Sequence, residues 1–138
     1  MLRNTSGLLA VVALLSLVPL AAFGQQTEDP ALVPKPIPAK YKTMKNPVSG
    51  IESIRYGGML FSSQCAMCHG KAGKGDGDLA QRFELKIPDF SDPAVQKQRT
   101  DGEYFYIIIE GHGRMRGQGE RFKDHNWDLV NYIRSLAR

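Results

Sequence analysis

The pattern of apolar and polar positions divides the chain into three stretches of different character. Leu8 to Leu20 reads LLAVVALLSLVPL, preceded by the cation Arg3 and followed by Ala22-Phe23-Gly24. A positive segment, an apolar core and small residues before a cut at Gln25 are the layout of an export leader. Residues 1–24 are therefore expected to be a cleaved signal peptide, which places the protein in the periplasm. The other reading is an uncleaved membrane anchor, for which the run is short and is interrupted by Ser16 and Pro19. No cysteine lies near the cut, which argues against a lipid anchor. Residues 25–50 follow a different rule. Pro30, Pro34, Pro36, Pro38 and Pro47 alternate with Lys35, Lys40, Lys42 and Lys45. Proline fixes φ and stiffens the chain toward polyproline II, so an extended basic arm is expected, partly laid over the domain that follows.

From Ile51 onward three helical segments can be argued. The first runs from Glu52 into the cysteine pair, with Phe61 and Cys65 one turn apart. The second opens at Thr100-Asp101-Gly102-Glu103, a Thr-x-x-Glu capping box ahead of an apolar run. Tyr104 to Ile109 (YFYIII) has strand propensity, but the box and the lack of a partner strand favour helix. The third carries Leu129, Tyr132, Ile133 and Leu136 at i, i+3, i+4 and i+7, with Asp124 as its expected cap. Between the first two lies Gly70 to Arg99, rich in glycine at its start and without a helical pattern. So long a loop is unusual in a small domain, and three short helices make a thin core. A large bound cofactor would resolve both difficulties.

Charge and composition narrow the class. Lys+Arg is 18 and Asp+Glu 14, a net +4, and loss of a leader carrying Arg3 leaves +3. So mild an excess excludes a nucleic-acid binder as the default. Hydrophobic residues at 42% are enough for a folded chain. The two cysteines sit three positions apart, too close for a bridge between them to staple a fold.

Cys65-Ala66-Met67-Cys68-His69 is a C-x-x-C-H motif. On one helical turn, two thiols at this spacing reach the vinyl groups on one edge of a haem and form thioethers. The next residue then presents its imidazole to the iron. Three rivals are weaker. A thioredoxin-type pair wants a preceding strand, and none is indicated. A zinc site would have to recruit His112 or His125 and to fit Cys68 and His69 on one metal. A structural disulfide would stabilise little.

With the motif in place, the sequence resembles the class I c-type cytochromes, from Ile51 to the C-terminus. In that family a small residue lies eight positions before the first cysteine and an aromatic four before it, here Gly57 and Phe61. The terminal helix carries an aliphatic and an aromatic three apart, here Leu129 and Tyr132, and a glycine at the crossing lets the two backbones approach. Residues Leu129 to Leu136 (LVNYIRSL) also look like family members of bacterial periplasms. The resemblance implies an all-α cytochrome c fold over residues 51–138. About three to four short helices would wrap one covalently bound haem c, covered by the long loop.

It also implies the ligands. Cys65 and Cys68 would carry the thioethers and His69 one axial position. Of Met44, Met59, Met67 and Met115, the last lies where the family places its second ligand, among Gly111, Gly113, Gly117 and Gly119. Family members often have proline after that methionine, whereas Arg116 follows here. His112, three residues earlier, is the runner-up, and an open position with Met115 merely packed is a third arrangement. A proline carbonyl usually accepts from the haem histidine, and Pro88 is the plausible donor of that carbonyl. Tyr104 and Trp127 would fill core or reach the propionates.

The function so implied is that of a periplasmic single-electron carrier rather than an enzyme. It would pass electrons from a respiratory donor complex or dehydrogenase to a terminal oxidase or reductase. Alternatives are a subunit of a larger respiratory complex, or a haem protein with an open site for gas or peroxide. Arg114, Arg116, Arg121 and Lys123, facing only Glu120, would steer the domain toward redox partners with acidic patches. Two lookalikes are set aside as turn chemistry. Gly70 to Gly75 lacks the ending and the preceding strand of a phosphate loop, and Asp76-Gly77-Asp78 lacks the remaining calcium ligands.

Overall fold

The computed structural model describes residues 33–137. The expected leader, residues 1–24, and residues 25–32 of the arm lie outside them. Eight α-helices follow in order: α1 (Ala39–Lys42), α2 (Ile51–Leu60), α3 (Ala66–His69), α4 (Asp78–Arg82), α5 (Pro93–Gln96), α6 (Asp101–Glu110), α7 (Gly119–Phe122) and α8 (Asn126–Ser135). Two short strands, β1 (Gly111–His112) and β2 (Met115–Arg116), form a hairpin between α6 and α7. The all-α architecture expected from the sequence is the one found, in eight helical segments among the described residues rather than three to four.

The frame is the crossing of α2 and α8. Ser53, Gly57 and Phe61 are buried one turn apart along the first segment, small residues followed by a large one. A side chain at Gly57 would run into the backbone carbonyl of Asp128 and come within 2.9 Å of the Tyr132 Cβ. Tyr132, anticipated opposite Gly57, is thus at the crossing, and the closest approach falls on Asp128, the residue before Leu129. Phe61, Leu129 and Val130 are the most deeply buried large side chains. Phe90, Tyr104, Ile108, Phe122, Ile133 and Leu136 complete the core around them.

Helix α6 begins as the capping box requires. The Thr100 hydroxyl accepts from the Glu103 amide at 3.3 Å, and the Glu103 carboxylate accepts from the Thr100 amide at 2.8 Å. Its buried residues are Gly102, Tyr104, Tyr106 and Ile108, a period of two on a helix. Two faces produce it. Tyr104 and Ile108, four apart, belong to the core. Gly102 and Tyr106, also four apart, lie under the arm. A Cβ on Gly102 would strike the Tyr41 carbonyl, and the Tyr41 ring sits 4.8 Å from that of Tyr106.

The arm is thus not extended throughout: Ala39–Lys42 forms a helical turn packed on α6. Asn46 then donates to the Asn131 side chain at 2.7 Å, and Asn131 donates to the Val48 carbonyl at 3.1 Å. Asp124 is not the cap of the last helix. Lys123–His125 forms a 3-10 turn, after which α8 starts at Asn126. The long stretch 70–99 is also not structureless. It holds α4 and α5, and Arg134 of α8 gathers its end. The guanidinium donates to the Gln96 carbonyl at 2.6 Å, the Arg99 carbonyl at 2.7 Å and the Asp101 carboxylate at 2.7 Å.

Candidate functional site

The cysteine motif sits where the first helix changes its winding. Phe61–Cys65 is a π-helical turn, in which the Ala66 amide donates to the Phe61 carbonyl five residues back. The Ser63 hydroxyl donates to the Leu60 carbonyl at 3.0 Å, the kind of local bond that competes with the helical ladder. Such single wide turns concentrate at functional sites. Cys65, at the end of this turn, packs against the core cluster to which Phe61 belongs.

Helix α3 ends at Gly70, whose φ of 78° no ordinary side chain adopts cheaply. Its last carbonyls are satisfied by the glycine-rich stretch that follows. Gly75 N–H donates to His69 O at 2.8 Å, and Gly77 N–H donates to Cys68 O at 3.2 Å. The approach is too close for side chains: a Cβ on Gly77 would collide with the Met67 and Ala66 carbonyls. The phosphate-loop lookalike is the cap of the motif helix.

Cys65 and Cys68 are free and half-buried. Burial, and next the neighbouring Cys68, push the Cys65 thiol up to about 11. Burial pulls His69 down to about 4, so its ring is neutral and its lone pair available at pH 7. The His69 ring stacks on Phe90 with centroids 5.0 Å apart and planes at 16°, and the Phe61 ring lies 6.1 Å away. Phe90 in turn meets Tyr104 edge-on at 5.9 Å, and Arg134 lies over the Tyr104 ring at 4.7 Å. Tyr104 is therefore core, and Trp127 stacks on Phe105 at 4.2 Å.

His69 Nδ1 is buried without a hydrogen-bond partner among the described residues. The bond expected from it to the Pro88 carbonyl is not made; Pro88 is exposed, and Phe90, two residues on, is the contact. A buried nitrogen left unpaired is costly, unless the ring is there to be ligated. Two unpaired thiols, an imidazole with an orphaned nitrogen and a wall of Phe61, Phe90 and Tyr104 fit a covalently attached apolar macrocycle. Among the described residues no three His, Cys, Asp or Glu side chains are grouped to hold a metal ion, which leaves a structural zinc site without its donors.

The second group of expected residues lies on the hairpin. Met115 is not in a loose loop: Gly111 pairs with Arg116 and His112 with Met115, joined by Gly113-Arg114. Gly113 has φ 56°, as a tight hairpin turn requires. His112 Nδ1 is buried and unpaired. Burial, with Arg99 next, holds this imidazole below its usual range. A cleft of about 210 Å³ runs beside the hairpin, lined by Val33 and Lys35 of the arm with Glu110, His112, Met115 and Arg116.

Cys65, Cys68 and His69 are thus together on one turn, and His112 and Met115 together on another element. Phe90 and Tyr104 connect His69 to α6, which leads directly into the hairpin. Of the basic residues near Met115, Arg114, Arg116 and Arg121 are exposed. Lys123 and Glu120 pair with each other at 3.7 Å, an exposed pair of little consequence. Phe90 was the residue missed; its position two after Pro88 was the available signal.

The Cytochrome c family model matches residues 54–137. No curated protein matches the chain. Among solved structures it is similar to a chain of the Kuenenia stuttgartiensis reducing HAO-like protein complex, with a TM-score of 0.59 and 23% identity. The likeness covers 68% of this chain and 48% of that one, so this chain spans about half the length of the structure it matches.

Proposed function

The chain belongs to the cytochrome c family, and from that premise we propose that it is a periplasmic single-electron carrier, not itself an enzyme. Haem-based electron transfer goes with the family. The finer reading assigns Cys65 and Cys68 to the thioethers of one haem c and His69 and Met115 to the axial positions. It is supported chiefly by His69, a half-buried neutral imidazole whose Nδ1 is buried and unpaired among the described residues, one residue after the free thiol of Cys68 and four after that of Cys65. When bound, haem would supply a centre that accepts and gives up one electron, with Cys65, Cys68, His69 and Met115 as the residues that would hold it.

The protein's part is positional. The capped α3 turn fixes the His69 backbone, and the Phe90 face fixes the plane of its ring. Phe61, Phe90 and Tyr104 keep water from the site, which disfavours added positive charge and favours the reduced form. The hairpin glycines allow Met115 to be carried on a tight backbone turn. Donor and acceptor would be respiratory redox proteins, the Arg114, Arg116 and Arg121 side chains favouring acidic docking patches.

Absorption spectroscopy on the purified holoprotein tests the reading. The ferric wild type should show the near-red band of methionine-ligated iron, and Met115→Ala should abolish it. A ferrous wild type that binds carbon monoxide readily would sink the carrier reading.

A second reading, a subunit of a larger respiratory complex, draws on two observations. The structural neighbour is a chain of a complex, and arm residues 39–48, outside the family match, are packed against α6 and α8. Co-purification of the native protein with a redox partner would favour it.

A further inference from the structure

Cross-strand pairing places His112 and Met115 opposite each other on the hairpin. Opposed residues of an antiparallel pair project to the same face, with Cβ atoms about 5 Å apart. Whatever Met115 is turned toward, His112 is therefore turned toward as well. Both side chains are half-buried, and the two line the same cleft. The Nδ1 of His112 has no hydrogen-bond partner among the described residues.

The glycines make a small displacement of the hairpin feasible. Gly111 (φ 85°) and Gly113 (φ 56°) flank His112, and Gly117 follows β2. Glycine gives the backbone at Gly111 and Gly113 access to positive φ, while Gly111 and Gly117 also admit the close approach of the neighbouring backbone. The thioether of methionine and the imidazole of histidine extend to similar lengths from the backbone. A shift of the hairpin by about one Cβ–Cβ separation would exchange one for the other.

We propose that His112 is a standby axial ligand, taking the iron position that Met115 gives up when its thioether is lost. The inference rests on the assignment of Met115 as the resident ligand. In the exchange one iron–sulfur bond breaks and one iron–nitrogen bond forms. The imidazole supplies the electron pair, and no redox change accompanies the step.

The test uses holoprotein in four forms: wild type, Met115→Ala, His112→Ala and the double variant. Ferric spectra, electron paramagnetic resonance and carbon monoxide binding to the ferrous form are read for each. Wild type and His112→Ala should show the methionine band. Met115→Ala should lose that band yet remain low-spin with a bis-imidazole resonance, and should resist carbon monoxide. The double variant should be high-spin and bind carbon monoxide at least ten-fold more tightly than Met115→Ala. A Met115→Ala protein as open as the double variant overturns the proposal while leaving Met115 in place as ligand. A wild type without the methionine band, made high-spin by His112→Ala, overturns both, because His112 is then the resident ligand.

Discussion

The Cα of Gly57 lies directly against the backbone carbonyl of Asp128, where a methyl group would have no room. Replacement of glycine by alanine inside a helix ordinarily gains up to about 1 kcal/mol. Here the sign should reverse. Gly57→Ala should destabilise the protein by about 1–3 kcal/mol through overpacking of the crossing, measured by denaturant unfolding. A variant as stable as wild type would mean that the two helices part without cost.

Phe90 is the neighbour of His69 and of Tyr104 at once. Phe90→Ala should cost about 3–5 kcal/mol, as aromatic truncations in cores do. Voltammetry of the holoprotein should also show a lower potential, since water admitted beside His69 stabilises the ferric form. An unchanged potential in a folded variant would show that Phe90 packs without shielding the site.

Arg134 holds four acceptors, two of them on Gln96, and the face of Tyr104 with one planar group. Lysine cannot reproduce that fork. Arg134→Lys should therefore lose about 1–3 kcal/mol of stability, a range set by charge-assisted bonds left unmade. Hydrogen exchange should rise at residues 96–101 first, where the released carbonyls lie.

How much of this was legible in the sequence depends on the range of each signal. The motif, the Thr100–Glu103 box and the spacing of Leu129 to Leu136 are local, and the structure carries the box and the last helix as read. Helix α6 illustrates the limit. Its burial repeats every two residues because two different partners lie on two faces, and neither partner is encoded nearby. Asp124 looked like a cap because its type is right, but the 3-10 turn at Lys123–His125 moved the helix start past it. The bond from His69 to Pro88 was a long-range inference across a loop, and Phe90 occupies that place instead. The hairpin escaped notice since its strands are two residues long, below any periodicity.

The arm offers an independent check. Gly102→Ala should strengthen α6 by propensity and yet lift the strap, because the new methyl meets the Tyr41 carbonyl. Limited proteolysis between Tyr41 and Asn46 should accelerate several-fold in that variant, with the α2–α8 core unaffected. Equal cleavage rates would show that the strap yields without detaching.

The bonds that close the motif helix come from backbone amides of Gly75 and Gly77. An amide has no residue identity, so chemistry places no demand on the side chains around it. Lys71, Ala72 and Lys74 point to solvent and can drift in sequence without disturbing the carbonyls of Cys68 and His69. Gly75, with φ 77° and the Ile87 carbonyl against it, and Gly77 cannot. Gly73, with φ 71° and the Leu136 side chain against it, is held likewise. The stretch that reads as the least informative in the chain is thus constrained at alternate positions, Gly73, Gly75 and Gly77, and a saturation library across residues 71–77 would recover that alternation directly.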